Sequence, residues 1–182
     1  VSLTSAAEES INTAFVDLTL AIPGGPEKIV ATANAMGIPS PEGAEWGIPR
    51  ATGDLEPVTG VSLGSAQVSP INMANAYATI ANGGQAAPVH VLQRVVDRGG
   101  EERYRFQASS TQAIDEEVAA DTSYALQQVV KGGTGRAALS LGRPAAGKTG
   151  TATNAEGDVS SAWFVGYTPQ MSTAVMYVRG KG

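Results

Sequence analysis

Cysteine is absent from the 182 residues, so the chain offers no disulfide and no thiolate metal ligand. Histidine is nearly absent. With His90 alone, a multi-histidine zinc site is excluded, and any Ser-His-Asp triad would have to run through that one residue. An ordinary strand position is the simpler reading of His90. Clusters of basic side chains are also lacking: the 12 Lys and Arg are dispersed and outnumbered by 17 Asp and Glu, giving a formal net charge of -5. A surface that tracks a phosphate backbone needs clustered Lys and Arg, so no nucleic-acid partner is implied. Long apolar runs are missing too. The most apolar stretch near the start, 14–22, is broken by Asp17 and is far shorter than the roughly 20 residues of a membrane span. No signal-peptide pattern is visible.

The remainder suits a compact domain, or a large piece of one: 42% of residues are hydrophobic, and 22 Gly and 10 Pro are scattered among apolar stretches rather than collected in tracts. Ile11, Phe15, Leu18 and Ile22 recur at helical spacing, predicting a helix over about 12–22 that Pro23 and Gly24 end. A shorter helix is predicted over 26–36, with Pro26 in its first turn and Gly37 just past its end. Residues 37–66 carry no clear period and read as an irregular surface connection, with Trp46 as a loop anchor. Ser69-Pro70 is a strong helix start, and Asn82-Gly83-Gly84 a stop. Between them Ile71, Ala74, Ala78 and Ile80 are the expected packing stripe. Alternating runs at 89–96 and 101–106 around Asp97-Arg98-Gly99-Gly100 predict a hairpin. A helix over 121–131 ending at Gly132-Gly133 comes next, then three short strands, 148–153, 162–167 and 173–178, in a meander. Helices first and strands last predict an α+β domain with helices packed on an antiparallel sheet.

Three motifs compete to carry chemistry. Residues 142–149, Gly-Arg-Pro-Ala-Ala-Gly-Lys-Thr, fit the phosphate-loop pattern G-x-x-x-x-G-K-T. That loop must leave a strand and open a helix, whereas here 136–141 reads helical and 149–153 reads as strand, so the context rejects it. Residues 60–64, Gly-Val-Ser-Leu-Gly, match the nucleophile elbow around Ser62. An elbow requires an acid between the serine and the histidine, and none lies between Ser62 and His90. The third candidate joins Ser10-Ile-Asn12 with Lys148-Thr149-Gly150-Thr151. S-x-N is short, and Ser10 alone reads as a helix cap and Lys148 as a solvated charge. K-T-G-T at the start of a strand is more informative.

The surrounding residues give this pair its meaning. Ser10-Ile-Asn-Thr-Ala-Phe15, Gly64-Ser-Ala-Gln-Val-Ser-Pro70, the run from Met73 to Gly84, Gly133-Thr-Gly135, Gly147-Lys-Thr-Gly-Thr151 and Ala162-Trp-Phe-Val-Gly-Tyr-Thr-Pro169 stand in one order along the chain. Together they resemble the transpeptidase domain of penicillin-binding proteins, with the last run most similar to class A, the bifunctional type. The resemblance implies the serine β-lactamase/D,D-peptidase fold. It also implies serine acyl transfer on peptidoglycan stem peptides ending in D-Ala-D-Ala, inhibition by β-lactams, no cofactor and no metal. By position it makes Ser10 a proton relay and Asn12 an amide that holds substrate peptide groups. Lys148 supplies positive charge, Thr149 and Thr151 bind the substrate carboxylate, Gly150 leaves room for substrate, and the Thr151 N–H is an oxyanion donor.

The family's S-x-x-K, which carries the nucleophile and the general base, is missing. The residues three before Lys28, Lys131, Lys148 and Lys181 are Gly25, Gln128, Ala145 and Val178. The nucleophile is therefore expected on polypeptide upstream of this chain, the family's C-terminal helix is expected beyond Gly182, and the 182 residues alone are expected to be inactive. The resemblance also places the protein on the outer face of the bacterial membrane, anchored by an upstream segment. A serine β-lactamase would use the same motifs, but the E-x-x-L-N loop for deacylation is absent. A non-catalytic module that binds peptidoglycan or a partner is the other alternative.

Overall fold

The computed structural model describes residues 1–42 and 48–179; Trp46, expected as a loop anchor, lies outside them. Among the described residues no helix is long and apolar enough to cross a membrane. Among the described residues five α-helices carry the first two thirds: α1 (Leu3–Glu8), α2 (Asn12–Ala21), α3 (Gly25–Ala35), α4 (Pro70–Ala81) and α5 (Glu116–Lys131). Two-residue strands β1 (Gln85–Ala86) and β4 (Thr111–Gln112) pair with each other and enclose the hairpin β2 (Arg94–Val96) and β3 (Glu102–Arg105). The final third is the meander β5 (Ala146–Thr153), β6 (Val159–Thr168) and β7 (Met171–Val178), antiparallel throughout. Order β5-β6-β7 leaves β5 as an edge strand.

Local signals set several boundaries as expected. The Ser69 hydroxyl accepts from the Asn72 N–H at 3.4 Å, and Pro70, with no N–H to satisfy, opens α4. Gly37, at φ +100°, closes α3 where a left-handed residue is needed. Other expectations need correction. The helix α5 begins at Glu116 and not at 121: two acidic residues in its first turn suit the helix dipole, and Ala119 is buried. Six-residue α1 is too short to show a period, and its start rests on the Ser2 hydroxyl accepting from the Ser5 N–H at 3.1 Å. The hairpin pairs only 94–96 with 102–105, and His90 lies before it, outside any strand, with its ring stacked on Phe106 at 3.6 Å.

The core explains the largest departures. Residues 37–42 and 48–66 do not merely run over the surface. Ile38, Leu55 and Val61 are buried with Ala76 of α4 and are flanked by Ile29, Val30 and Met36 from in and beside α3. Fully burying such a side chain contributes about 1.5–3 kcal/mol. An irregular segment that enters a core brings carbonyls with no ladder partner, and these must find donors. The stripe of α4 is accordingly polar in part: Asn72, Ala76, Thr79 and Ile80 are buried, while Ile71 is exposed. Asn72 Nδ2 donates to the Arg50 carbonyl at 2.7 Å, and the Thr79 hydroxyl reaches the Met36 carbonyl at 3.1 Å. A second cluster of Ile80, Leu126 and Ala146 locks α4 and α5 onto the start of β5. There Tyr77 meets Tyr167 edge-on, and burial, helped by Tyr167, pushes the Tyr77 phenol up to about 12.

Candidate active site

The site forms where the turn after α1 meets the edge strand β5. Leaving α1, the chain makes a Schellman turn: the Ile11 N–H reaches the Ala6 carbonyl at 2.9 Å and the Ser10 N–H reaches Ala7 at 3.3 Å. The residue just past such a helix end takes the left-handed conformation that glycine normally provides. Here it is Ser10, at φ 57°, the one non-glycine residue with positive φ among those described. Holding an L-residue there costs on the order of 1–2 kcal/mol. Ser10 is therefore not the cap of α2 that its position before that helix suggests. The cap is Ile11, with no side-chain bond, and the Ser10 hydroxyl is free to point elsewhere. It accepts a hydrogen bond from Lys148 Nζ at 2.8 Å, across 138 residues of sequence.

Lys148 sits near the start of β5, half-buried, and also donates to the Thr149 carbonyl at 3.1 Å. It is not the solvated surface charge that an isolated lysine suggests. Burial pulls its ammonium below the usual lysine range. Among the described residues the ion pairs, Arg103 with Asp97 and Glu101 and Arg105 with Glu102, all lie in the hairpin, so no carboxylate neutralises Lys148. A half-buried cation held only by a hydroxyl and a carbonyl is poised for an anion.

Successive side chains of a strand point to opposite faces, so Lys148 and Gly150 share one face while Thr149 and Thr151 share the other. The Thr149 hydroxyl donates to the Thr134 hydroxyl at 2.8 Å. Thr134 lies in the turn after α5, and sequence reasoning misses it as a site residue; the Gly133-Thr-Gly135 pattern is its only trace. Its N–H bonds to the Glu8 carbonyl at 3.2 Å. The segment from Glu8 to Ser10 thus touches both the 133–135 turn and the Lys148 strand. Asn12 opens α2 and Thr151 follows Gly150 on β5. Both are exposed, and neither side chain hydrogen-bonds to this group. Gly147 is demanded by packing, since a Cβ there would stand 2.7 Å from the Val165 carbonyl oxygen and 2.8 Å from the Phe164 ring. Gly150 is not, since its Cβ would meet Trp163 at an ordinary 3.4 Å.

The rejected motifs stay rejected. The 142–149 segment runs from the end of a 3-10 helix (Arg136–Leu141) into β5, with no helix after the lysine. Ser62 lies in a 3-10 turn (Thr59–Leu63), its hydroxyl directed to the Thr59 carbonyl at 3.4 Å.

Comparison with known proteins decides the family. A family model described as the penicillin-binding protein transpeptidase domain matches residues 1–180. The chain belongs to the penicillin-binding protein transpeptidase family. Its relatives include penicillin-binding protein 1A of Mycolicibacterium smegmatis, 36% identical over 180 residues that make up 96% of this chain and 22% of that protein. Penicillin-binding protein 1A of Mycobacterium tuberculosis is 35% identical over 190 residues, covering 100% of this chain and 23% of that protein. Among solved structures, that of PonA1 from M. tuberculosis in complex with penicillin V superposes with a TM-score of 0.81 at 31% identity, over 99% of this chain and 48% of that one. The fold is thus that of penicillin-binding transpeptidase domains, as the sequence led us to expect. The chain spans under a quarter of the length of these curated relatives and about half of the solved PonA1 chain.

Proposed function

We propose that these residues form the Ser10-Lys148 side of a serine D,D-transpeptidase that cross-links peptidoglycan stem peptides and is acylated by β-lactams. The 2.8 Å bond from Lys148 Nζ to Ser10 Oγ carries the reading, because it couples the two motifs through one proton-bearing contact. The relatives' names and the penicillin V bound to PonA1 support it. In this reading a serine outside the 182 residues, preceding a lysine by three positions, attacks the penultimate D-Ala carbonyl. The lysine of that motif takes the serine's proton as general base, and Ser10 relays a proton from it to the departing D-Ala nitrogen, a task that suits a hydroxyl already bonded to an ammonium. The acyl group then passes to an amine of a neighbouring stem peptide. Lys148, with no carboxylate partner, supplies positive charge near the substrate's terminal carboxylate and tunes the proton relay, while the hydroxyls of Thr149 and Thr151 bind that carboxylate. The Thr151 N–H is one oxyanion donor, and removing such a donor costs about 2.7–4 kcal/mol in the barrier. Asn12 holds a substrate amide. Gly150, where the fold has room for a Cβ, leaves that room to the ligand. The substrate places the protein on the outer face of the membrane, anchored by a segment outside these residues.

The test is covalent labelling of the full-length protein with a fluorescent penicillin, followed by peptide mapping. We expect one labelled serine, in an S-x-x-K sequence outside these residues, and no label on the 182-residue chain alone. Stable labelling of the isolated chain would overturn the assignment of the nucleophile. A folded full-length protein that takes no label would replace the enzyme with a non-catalytic peptidoglycan-binding module.

A further inference from the structure

Thr134 has no part in the proton relay, yet the structure constrains it from both sides. Gly133 is buried so closely against the end of α1 that a Cβ would stand 2.3 Å from the Glu8 carbonyl oxygen. Gly135 is buried against Val129, where a Cβ would stand 3.2 Å from that carbonyl oxygen. Thr134, between two wedged glycines, is exposed. Its backbone is tied to Glu8, and its hydroxyl accepts from Thr149 at 2.8 Å. Nothing buried depends on the Thr134 side chain; its contact is with one hydroxyl of the K-T-G-T strand.

Proton accounting shows what that contact does. Each hydroxyl has one proton and two lone pairs. As the bond stands, the Thr149 proton is committed to Thr134 and the Thr134 proton is free. For Thr149 to donate to an anion the bond must reverse: Thr134 donates to Thr149 Oγ, and the Thr149 proton turns to the ligand. The pair then delivers a single donor along one fixed direction, because Thr149 is held at both ends. An isolated threonine hydroxyl would instead rotate and be solvated.

Resting on the carboxylate-binding reading of Thr149, we propose that Thr134 is a positioning residue of that subsite, holding the Thr149 hydroxyl in the orientation that meets the substrate's terminal carboxylate. The experiment measures second-order acylation rates of the full-length protein with a fluorescent penicillin and with the methyl ester of the same compound. Wild type should react faster with the free acid. Thr134→Val should slow the free acid by about tenfold, the scale of one hydrogen bond to a charged group, and slow the ester less than about twofold. Thr134→Ser, which keeps the hydroxyl, should restore the free-acid rate to within about threefold. Wild-type rates in Thr134→Val, or an equal loss on acid and ester, would overturn the role of Thr134 alone. A wild type that does not distinguish acid from ester would overturn the carboxylate reading of Thr149 and the proposal with it.

Discussion

In the 94–105 hairpin the side-chain polar contacts close within six residues, as when Arg103 Nε donates to Asp97 at 2.9 Å. The site is built the opposite way, with Lys148 reaching Ser10 across 138 residues. The hairpin is local and exposed, so its ion pairs work in water, where each contributes little. In the site the lysine is half-buried and without a carboxylate, and the serine sits in a backbone conformation that disfavours it. A contact whose two ends are both held at a cost is the kind that function retains.

The sharpest way to break this contrast is to relieve the cost at Ser10. Ser10→Gly removes the hydroxyl and the left-handed strain together, whereas Ser10→Ala removes only the hydroxyl. Both should slow penicillin acylation of the full-length protein by about 10²–10⁴-fold, the usual worth of a proton relay. Only the glycine variant should gain stability, up to about 1 kcal/mol in a denaturant titration. A glycine variant no more stable than the alanine variant would remove the strain from the argument. The pH dependence separates the same terms. Acylation that needs charged Lys148 should fall as pH rises through a value below the ordinary lysine pKa of about 10.4. Stability should move the other way, because folded Lys148 holds its proton less tightly than the unfolded chain does, so deprotonation relieves its burial. Lys148→Arg, charged at all these pH values, should lose the alkaline limb.

A smaller effect is expected where the two motifs are wedged together. Gly133→Ala puts a methyl 2.3 Å from a backbone oxygen and 2.8 Å from the Glu8 side chain, so the turn must move. Overpacking of this kind costs about 1–3 kcal/mol. The movement also strains the Thr134 N–H bond to Glu8, so acylation should fall along with the unfolding midpoint. Gly53→Ala, which meets nothing within 4 Å, is the control and should leave both unchanged. If Gly133→Ala lowered stability and left acylation intact, the turn would be mere packing.

The same contrast separates what the sequence reveals by itself from what it hides. The hairpin, α4 and the meander are legible because turn residues, a cap and period-two alternation act over a few positions. Ser69-Pro70 marks a helix start whatever lies elsewhere. The α4 stripe misleads, because Asn72 and Thr79 are buried where they meet distant carbonyls, of Arg50 in the irregular segment and of Met36 at the end of α3. Ser10 mimics a local cap for the same reason: its role is set by Lys148, and its backbone by the α1 that precedes it. Thr134 carries no local signal beyond the Gly133-Thr-Gly135 run itself, since only the approach of α1 and β5 gives a threonine between two glycines its task.

The least effect belongs to the hairpin, and it tests whether local contacts stay local. Asp97 accepts from the Gly99 and Glu101 N–H groups at 2.8 and 3.0 Å as well as from Arg103. The Glu101 amide, foremost, holds its carboxyl below the ordinary range. A lowered carboxyl pKa gives stability that is present above the unfolded value of about 3.9 and is lost as pH falls through the folded value. Amide protection at Gly99 and Glu101, taken relative to the intrinsic exchange rate, should therefore fall in that acid window, and Asp97→Ala should lower it at neutral pH, with the global unfolding midpoint unmoved. Arg103→Ala should change neither, because an exposed ion pair in water adds little to bonds the backbone already makes. A shift of the global midpoint in Asp97→Ala would show that the hairpin is coupled to the core, and the division between local scaffold and long-range site would have to be redrawn.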